Sequence, residues 1–126
     1  MGFIKGILKE TPVYINGDGE QTRDFTPVEN AVQANIIGML TDKKEALNKV
    51  YNVATGENFS VNYLFNACKK HLQSNFEACN RESRSGDIKN SLADISLAKN
   101  LLAYSPTKNF EKGLIETIDF FKEKYS

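Results

Sequence analysis

Between Val13 and Phe25 the chain reads VYINGDGEQTRDF, and no other stretch limits the fold as tightly. The β-rich run Val13-Tyr14-Ile15 gives way to Asn16-Gly17-Asp18-Gly19, whose residues tolerate positive φ, and the chain then stays extended from Gln21 to Phe25. Strand, turn, strand is the expectation. The turn lacks the third glycine, the lysine and the following helix of a phosphate-binding loop, so a β-turn is the better reading. Directly afterwards Thr26 is placed to cap a helix, with Pro27 at its first position and Glu29 completing a capping box. That helix is predicted to reach about Leu40. Its Val28, Ala31, Val32, Ile36, Met39 and Leu40 form an apolar stripe that needs a partner surface.

Helical and extended signals alternate through the rest. Phe3, Ile4, Ile7 and Leu8 recur at helical spacing and stop before Pro12. The run Val50-Tyr51-Asn52-Val53-Ala54 has strand character and ends at Thr55-Gly56. Ser60 can cap a helix with Leu64, Phe65, Cys68 and Leu72 on one face, which makes Cys68 a small core residue. From Ser74 to Asn90 the chain is polar and irregular, with Arg81, Arg84 and Gly86-Asp87 in a stretch too long for a simple turn. Asp94 can cap a helix over 95–102, Tyr104-Ser105-Pro106-Thr107 breaks it, and Phe110, Leu114, Ile118 and Phe121 give a last helix its buried face. With no repeat and no linker, residues 1–126 are expected to form one unit of mixed α/β class, a small β-sheet with about four to five helices.

Composition removes several functions. A chain of 126 residues is the size of one domain. Sixteen Lys plus Arg balance sixteen Asp plus Glu, so no excess field draws a nucleic acid or an anionic membrane. The longest apolar run, Asn35 to Leu40, is far too short to span a bilayer, and no secretory signal is recognisable, which makes cytoplasm the expected location. Two cysteines, Cys68 and Cys79, are too few for a zinc site or a disulfide scaffold and are read as reduced thiols. No metal ligand set is assigned, and the lone His71 is read as a surface residue.

Arg23, just after the glycine turn, and Arg84, in the polar loop, can clamp a diphosphate if the fold brings them together, since each guanidinium offers a planar fork of donors. The competing reading pairs them with Asp24 and Asp87. Tyr104 and Lys108 have the Tyr-x-x-x-Lys spacing of short-chain dehydrogenases, but Pro106 between them spoils the helix that the pair requires. They are read as a decoy, and no catalytic residue is assigned.

The segment VYINGDGEQTRDF, followed by Gln33-Ala34-Asn35, Val50-Tyr51-Asn52-Val53-Ala54, Arg84-Ser85-Gly86-Asp87 and Ser91-Leu92-Ala93-Asp94-Ile95, resembles the extended short-chain dehydrogenase/reductase family. Within it the likeness is to the C-terminal portion of the UDP-N-acetylglucosamine 4-epimerase group, over nearly the whole chain. By position, the resemblance implies that Arg23 and Arg84 grip the UDP diphosphate and that Asp87 hydrogen-bonds the ribose. Tyr14 and Asn16 fall on the strand flanking the uracil. Ser91 matches a gatekeeper beside the sugar C2 substituent, where a serine in place of a bulky tyrosine leaves room for an N-acetyl group. Ser91→Tyr in a complete enzyme is expected to abolish acceptance of acetylated sugars.

The resemblance also implies an NAD-binding domain carrying the glycine-rich turn and the helical Tyr-x-x-x-Lys pair, none of it within these residues. This chain is therefore expected to hold the UDP end of a nucleotide sugar, to contain no complete Rossmann domain, to bind no cofactor itself and to be inactive alone. NAD would serve the complete parent enzyme, its domain supplied in cis or in trans. A portion of a sugar-nucleotide dehydratase or decarboxylase, and a non-catalytic association module, are the alternatives. In the family the helix after Pro27 and residues 50–54 pack near the NAD domain, so an uncovered stripe is expected to favour a homo-oligomer. Two positions depart from the family pattern. Pro27 stands where an aromatic or histidine is commoner, and Ala103 where a glycine usually precedes the tyrosine.

Overall fold

The computed structural model describes residues 2–125, and the chain is of mixed α/β class. In order the elements are α1 (Gly2–Leu8), β1 (Tyr14–Asn16), β2 (Thr22–Arg23), α2 (Val28–Leu40), a short 3-10 turn (Lys44–Ala46), β3 (Phe59–Ser60), α3 (Val61–Leu72), β4 (Cys79–Arg81), α4 (Ser96–Leu102) and α5 (Phe110–Tyr125). The strands form two separate pairs. β1 runs parallel to β4, with Asn16 opposite Arg81, and β2 runs antiparallel to β3, with Arg23 opposite Phe59. The turn after β1 is present, with Gly17 and Gly19 at φ 64° and 76°, yet its two strands do not pair with each other. Asn62 explains why: its side-chain amide donates to Asp18 O and Glu20 Oε1, and its N–H to Gly19 O. These bonds dock the turn on the start of α3 and carry the chain away from β1. A Cβ on Gly19 would lie 2.0 Å from Asn62 Oδ1, so the close approach and the positive φ both need glycine.

Two apolar clusters hold the elements together. The larger joins α1, β1, α3 and α5 through Ile4, Ile15, Phe65, Cys68, Leu114, Ile118 and their neighbours. The expected buried face of α5 is found, since Phe110, Leu114, Ile118 and Phe121 are all buried. Ser60 caps α3 as expected, its hydroxyl accepting from Tyr63 N. The second cluster is built of small residues, Ala34, Ala46, Ala54 and Ala98, closed by Ile95, Leu102 and Tyr104.

Three expectations are corrected. Residues 50–54 make no strand. No neighbouring strand lies beside them, and side chains take up the segment instead: Tyr51 Oη donates to Ala46 O, and Tyr104 Oη to Ala54 O. Thr26 does not cap α2. Its hydroxyl donates to the Asp24 carboxylate, a stronger acceptor than another hydroxyl, and Pro27 holds the cap position with no side-chain bond. The irregular stretch 74–90 contains β4, an exposed polar strand that pairing with β1 creates and that no hydrophobic alternation announces.

The apolar stripe of α2 faces outward, as the missing partner surface implies. Asn30 and Ala34 are its buried residues, while Val28, Val32, Ile36, Met39 and Leu40 are 51–83% exposed. Asn30 is fully buried because it is a polar staple: Nδ2 donates to Lys108 O, and Oδ1 accepts from the N–H groups of Thr107 and Lys108. Pro27 tolerates its unusual place because α5 presents Gly113 there, where a Cβ would lie 2.6 Å from the proline ring.

Candidate functional site

β2 is the organiser. Its Thr22 N donates to Lys89 O, and Ser91 N to Thr22 O, so the segment after the polar loop lies along the strand opposite β3. Arg23 then reaches the loop itself. Its terminal nitrogens donate to Ile88 O at 2.6 Å, to Thr22 O at 2.7 Å and to Asp87 Oδ1 at 2.5 Å, with both members of the ion pair about one-third exposed. The loop tightens through Asp87 N donating to Arg84 O around Gly86, whose φ is 81°. A cleft of about 350 Å³ results, lined by Asn16, Asp18 and Gln21 from the β1 turn and by Arg84, Asp87 and Lys89 from the loop.

The structure thus brings Asn16, Arg84 and Asp87 to one cleft, with Arg23 anchored on Asp87. Arg84 is exposed, and its guanidinium has no partner among the described residues. Tyr14 is 51% exposed at the end of β1, on the same strand face as Asn16. Ser91 is exposed across from Thr22 and does not line this cleft. Of the two carboxylates competing for the arginines, Asp87 pairs with Arg23 and Asp24 does not. Asp24 accepts instead from Thr26 Oγ1, Thr55 N, Thr55 Oγ1 and Gly56 N, and so ties the exit of β2 to the 55–56 loop. The sequence shows no role for Asn30, Lys89 or Arg81 and only an arginine partner in Asp24, because each acts through a segment more than 25 residues away.

Tyr104 and Lys108 are in separate environments. The Tyr104 phenol is buried, donates to Ala54 O, and is pushed above its ordinary pKa by burial and by the charge of Asp24. Lys108 bonds Glu116 and Glu29, which hold its ammonium above the usual lysine value. A proton-transferring pair needs both shifts in the opposite direction. A larger cleft, about 590 Å³, lies among Phe3, Phe25, Leu64, Phe110 and Leu114, but its one carboxylate, Asp24, is already satisfied. Among the described residues no group of three His, Cys, Asp or Glu side chains could hold a metal, and no helix is long and apolar enough to cross a membrane.

Among the described residues, two short strand pairs and five α-helices surround the arginine-bearing cleft. The family model described as GDP-mannose 4,6 dehydratase matches residues 2–117, and the chain belongs to that family. It is 32% identical over 122 residues to the UDP-glucuronate 4-epimerase of Thermodesulfobacterium geofontis, covering 96% of this chain and 36% of that one. The UDP-glucose 4-epimerase of Thermotoga maritima, solved with UDP-glucose, superposes with a TM-score of 0.90 at 32% identity over 98% of this chain and 39% of that one. The UDP-N-acetylglucosamine 4-epimerase of Methanobrevibacter ruminantium, solved with UDP-N-acetylmuramic acid, gives 0.87 at 38% identity over 98% and 38%. The chain therefore spans less than two-fifths of the length of these relatives and corresponds to their C-terminal portion. Its relatives include UDP-sugar 4-epimerases and decarboxylases.

Proposed function

We propose that this chain holds the UDP end of a nucleotide sugar, as the C-terminal portion of an NAD-dependent UDP-sugar 4-epimerase that accepts UDP-GlcNAc or UDP-GalNAc. Arg23 and Arg84 grip the diphosphate, Asp87 accepts from the ribose hydroxyls, Tyr14 and Asn16 flank the uracil, and Ser91 leaves room beside the sugar C2. The observation that carries this reading is the convergence of Arg84, Asp87 and Asn16 on one cleft, with Arg23 fastened to Asp87 across 64 positions of sequence. The UDP-sugars bound by the Thermotoga and Methanobrevibacter relatives support a ligand of that class. A portion of a decarboxylase is the second reading, favoured by the decarboxylases among the relatives, and it uses the same grip on UDP.

The chemistry of hydride transfer needs a dinucleotide, and the Gly17–Gly19 turn lacks the geometry that cradles one. The Gly17–Gly19 turn leads into β2 and not into a helix, and Asn62 fills the space over Gly19. This chain's own work is to bind and orient the nucleotide, while an NAD-binding portion in cis or in trans acts on the sugar. Backbone amide chemical shifts recorded while UDP is added test the reading. The expected changes fall at Gly17 and at residues 84–89. Changes confined to the larger apolar cleft, around Phe25 and Leu64, would contradict it.

A further inference from the structure

Arg81 is the one arginine of the cleft region that the reading above does not use, and it is held in an unusual way. It stands opposite Asn16 in the parallel β1–β4 ladder, extended by Gly17 N donating to Arg81 O and by Asn80 Nδ2 donating to Gly17 O, each at 2.8 Å. Its Nε donates to Asn16 Oδ1 at 2.5 Å, and its guanidinium carbon lies 5.5 Å from the centre of the Tyr14 ring. Ile15 between them is buried on the other face, so Tyr14, Asn16 and Arg81 form one solvent-facing shelf. The ring and the amide set the plane of the guanidinium. Both terminal amino groups of Arg81 lack an acceptor among the described residues.

From this arrangement we propose that Arg81 reads the carbonyl edge of a pyrimidine base and selects uracil over cytosine; the proposal rests on the UDP reading above. The free polar groups of Arg81 and Asn16 beside the ring are donors. A guanidinium cannot become an acceptor, and with its Oδ1 bonded by Arg81 Nε, Asn16 has its NH₂ as the unbonded end of the amide among the described residues. Uracil meets these donors with O4, an acceptor. Cytosine places an amino group at the same position, donor against donor, and one charge-assisted hydrogen bond goes unmade. Such a bond corresponds to about a tenfold difference in affinity. The arginine also lies three residues before Arg84, a separation of at most about 10 Å along an extended chain and within the reach of one nucleotide.

Calorimetric titration of the intact chain with UDP, CDP and inorganic pyrophosphate tests the assignment, in the wild type, Arg81→Ala and Arg81→Gln, with circular dichroism confirming that each is folded. The expected result is UDP binding about tenfold tighter than CDP in the wild type. In both variants the preference shrinks to about twofold or less, and pyrophosphate affinity stays as it was. A preference that survives both substitutions overturns the assignment and leaves the nucleotide site standing. Pyrophosphate binding that weakens in step with UDP overturns it too, by making Arg81 a phosphate ligand. Failure of the wild type to bind either UDP or pyrophosphate overturns both the assignment and the UDP reading.

Discussion

Arg23 bonds Asp87, Ile88 O and Thr22 O, so truncating it frees the loop as well as removing a charge, whereas Arg84 touches no other side chain among the described residues. Single residues elsewhere act in the same hidden way. Asn30→Ala leaves two N–H groups and one carbonyl of the 107–108 loop without partners and is expected to cost about 3 kcal/mol in chemical denaturation. Ala103→Gly is expected to add about 0.5–1 kcal/mol, since Ala103 closes α4 at φ 53° and glycine relieves the strain at some cost in unfolded-chain entropy. An Asn30→Ala variant as stable as wild type would remove the staple from the account. The sequence showed Arg23, Arg84 and Asp87 as residues of the right chemistry, and it left Asp24 or Asp87 as equal partners for them. Only the pairing of Thr22 with Lys89 and Ser91 decides between them, and that is a contact between distant segments.

Among the elements, those whose signals are local were legible and those made by partners were not. The cap of Ser60 on α3 and the apolar face of α5 follow from residues within a few positions of one another. β4 exists because β1 pairs with it, and the strand-like residues 50–54 stay irregular because nothing pairs with them. α3 gives the sharpest test at this scale. Cys68 is buried against α1 and α5, and desolvation pushes its thiol up to about 11, whereas Cys79 on β4 is exposed. Iodoacetamide at pH 8 should modify Cys79 in the native chain and reach Cys68 only after denaturation, as read by mass spectrometry. Because the folded value lies above the ordinary 9.0, the stability linked to Cys68 is present below pH 9 and lost as pH rises towards 11. Rapid native labelling of Cys68 would contradict the packing of α3.

For the molecule as a whole, the largest uncovered apolar feature among the described residues is the outward face of α2. Val28, Val32, Ile36, Met39 and Leu40 form an apolar strip, and the interior takes Asn30 and Ala34 in their place. A strip of that kind is ordinarily covered. Light scattering of the chain at high concentration should show self-association, reduced in a Val32→Glu, Ile36→Glu double variant. A monodisperse monomer in both would contradict that expectation. The stripe and its lack of a cover were legible in the sequence and the family likeness, whereas the burial of Asn30 and Ala34 on the opposite face was not, because it depends on the distant 107–108 loop. The proposed nucleotide cleft lies where β1, β2 and the 84–89 loop meet. Calorimetric titration of UDP into the wild-type chain and into Arg84→Ala, which removes no side-chain hydrogen bond or ion pair among the described residues, tests nucleotide binding at this cleft. The account predicts saturable binding that weakens by about tenfold or more in the variant at unchanged melting temperature. Equal affinity in the two proteins, or no binding by the wild type, would contradict it.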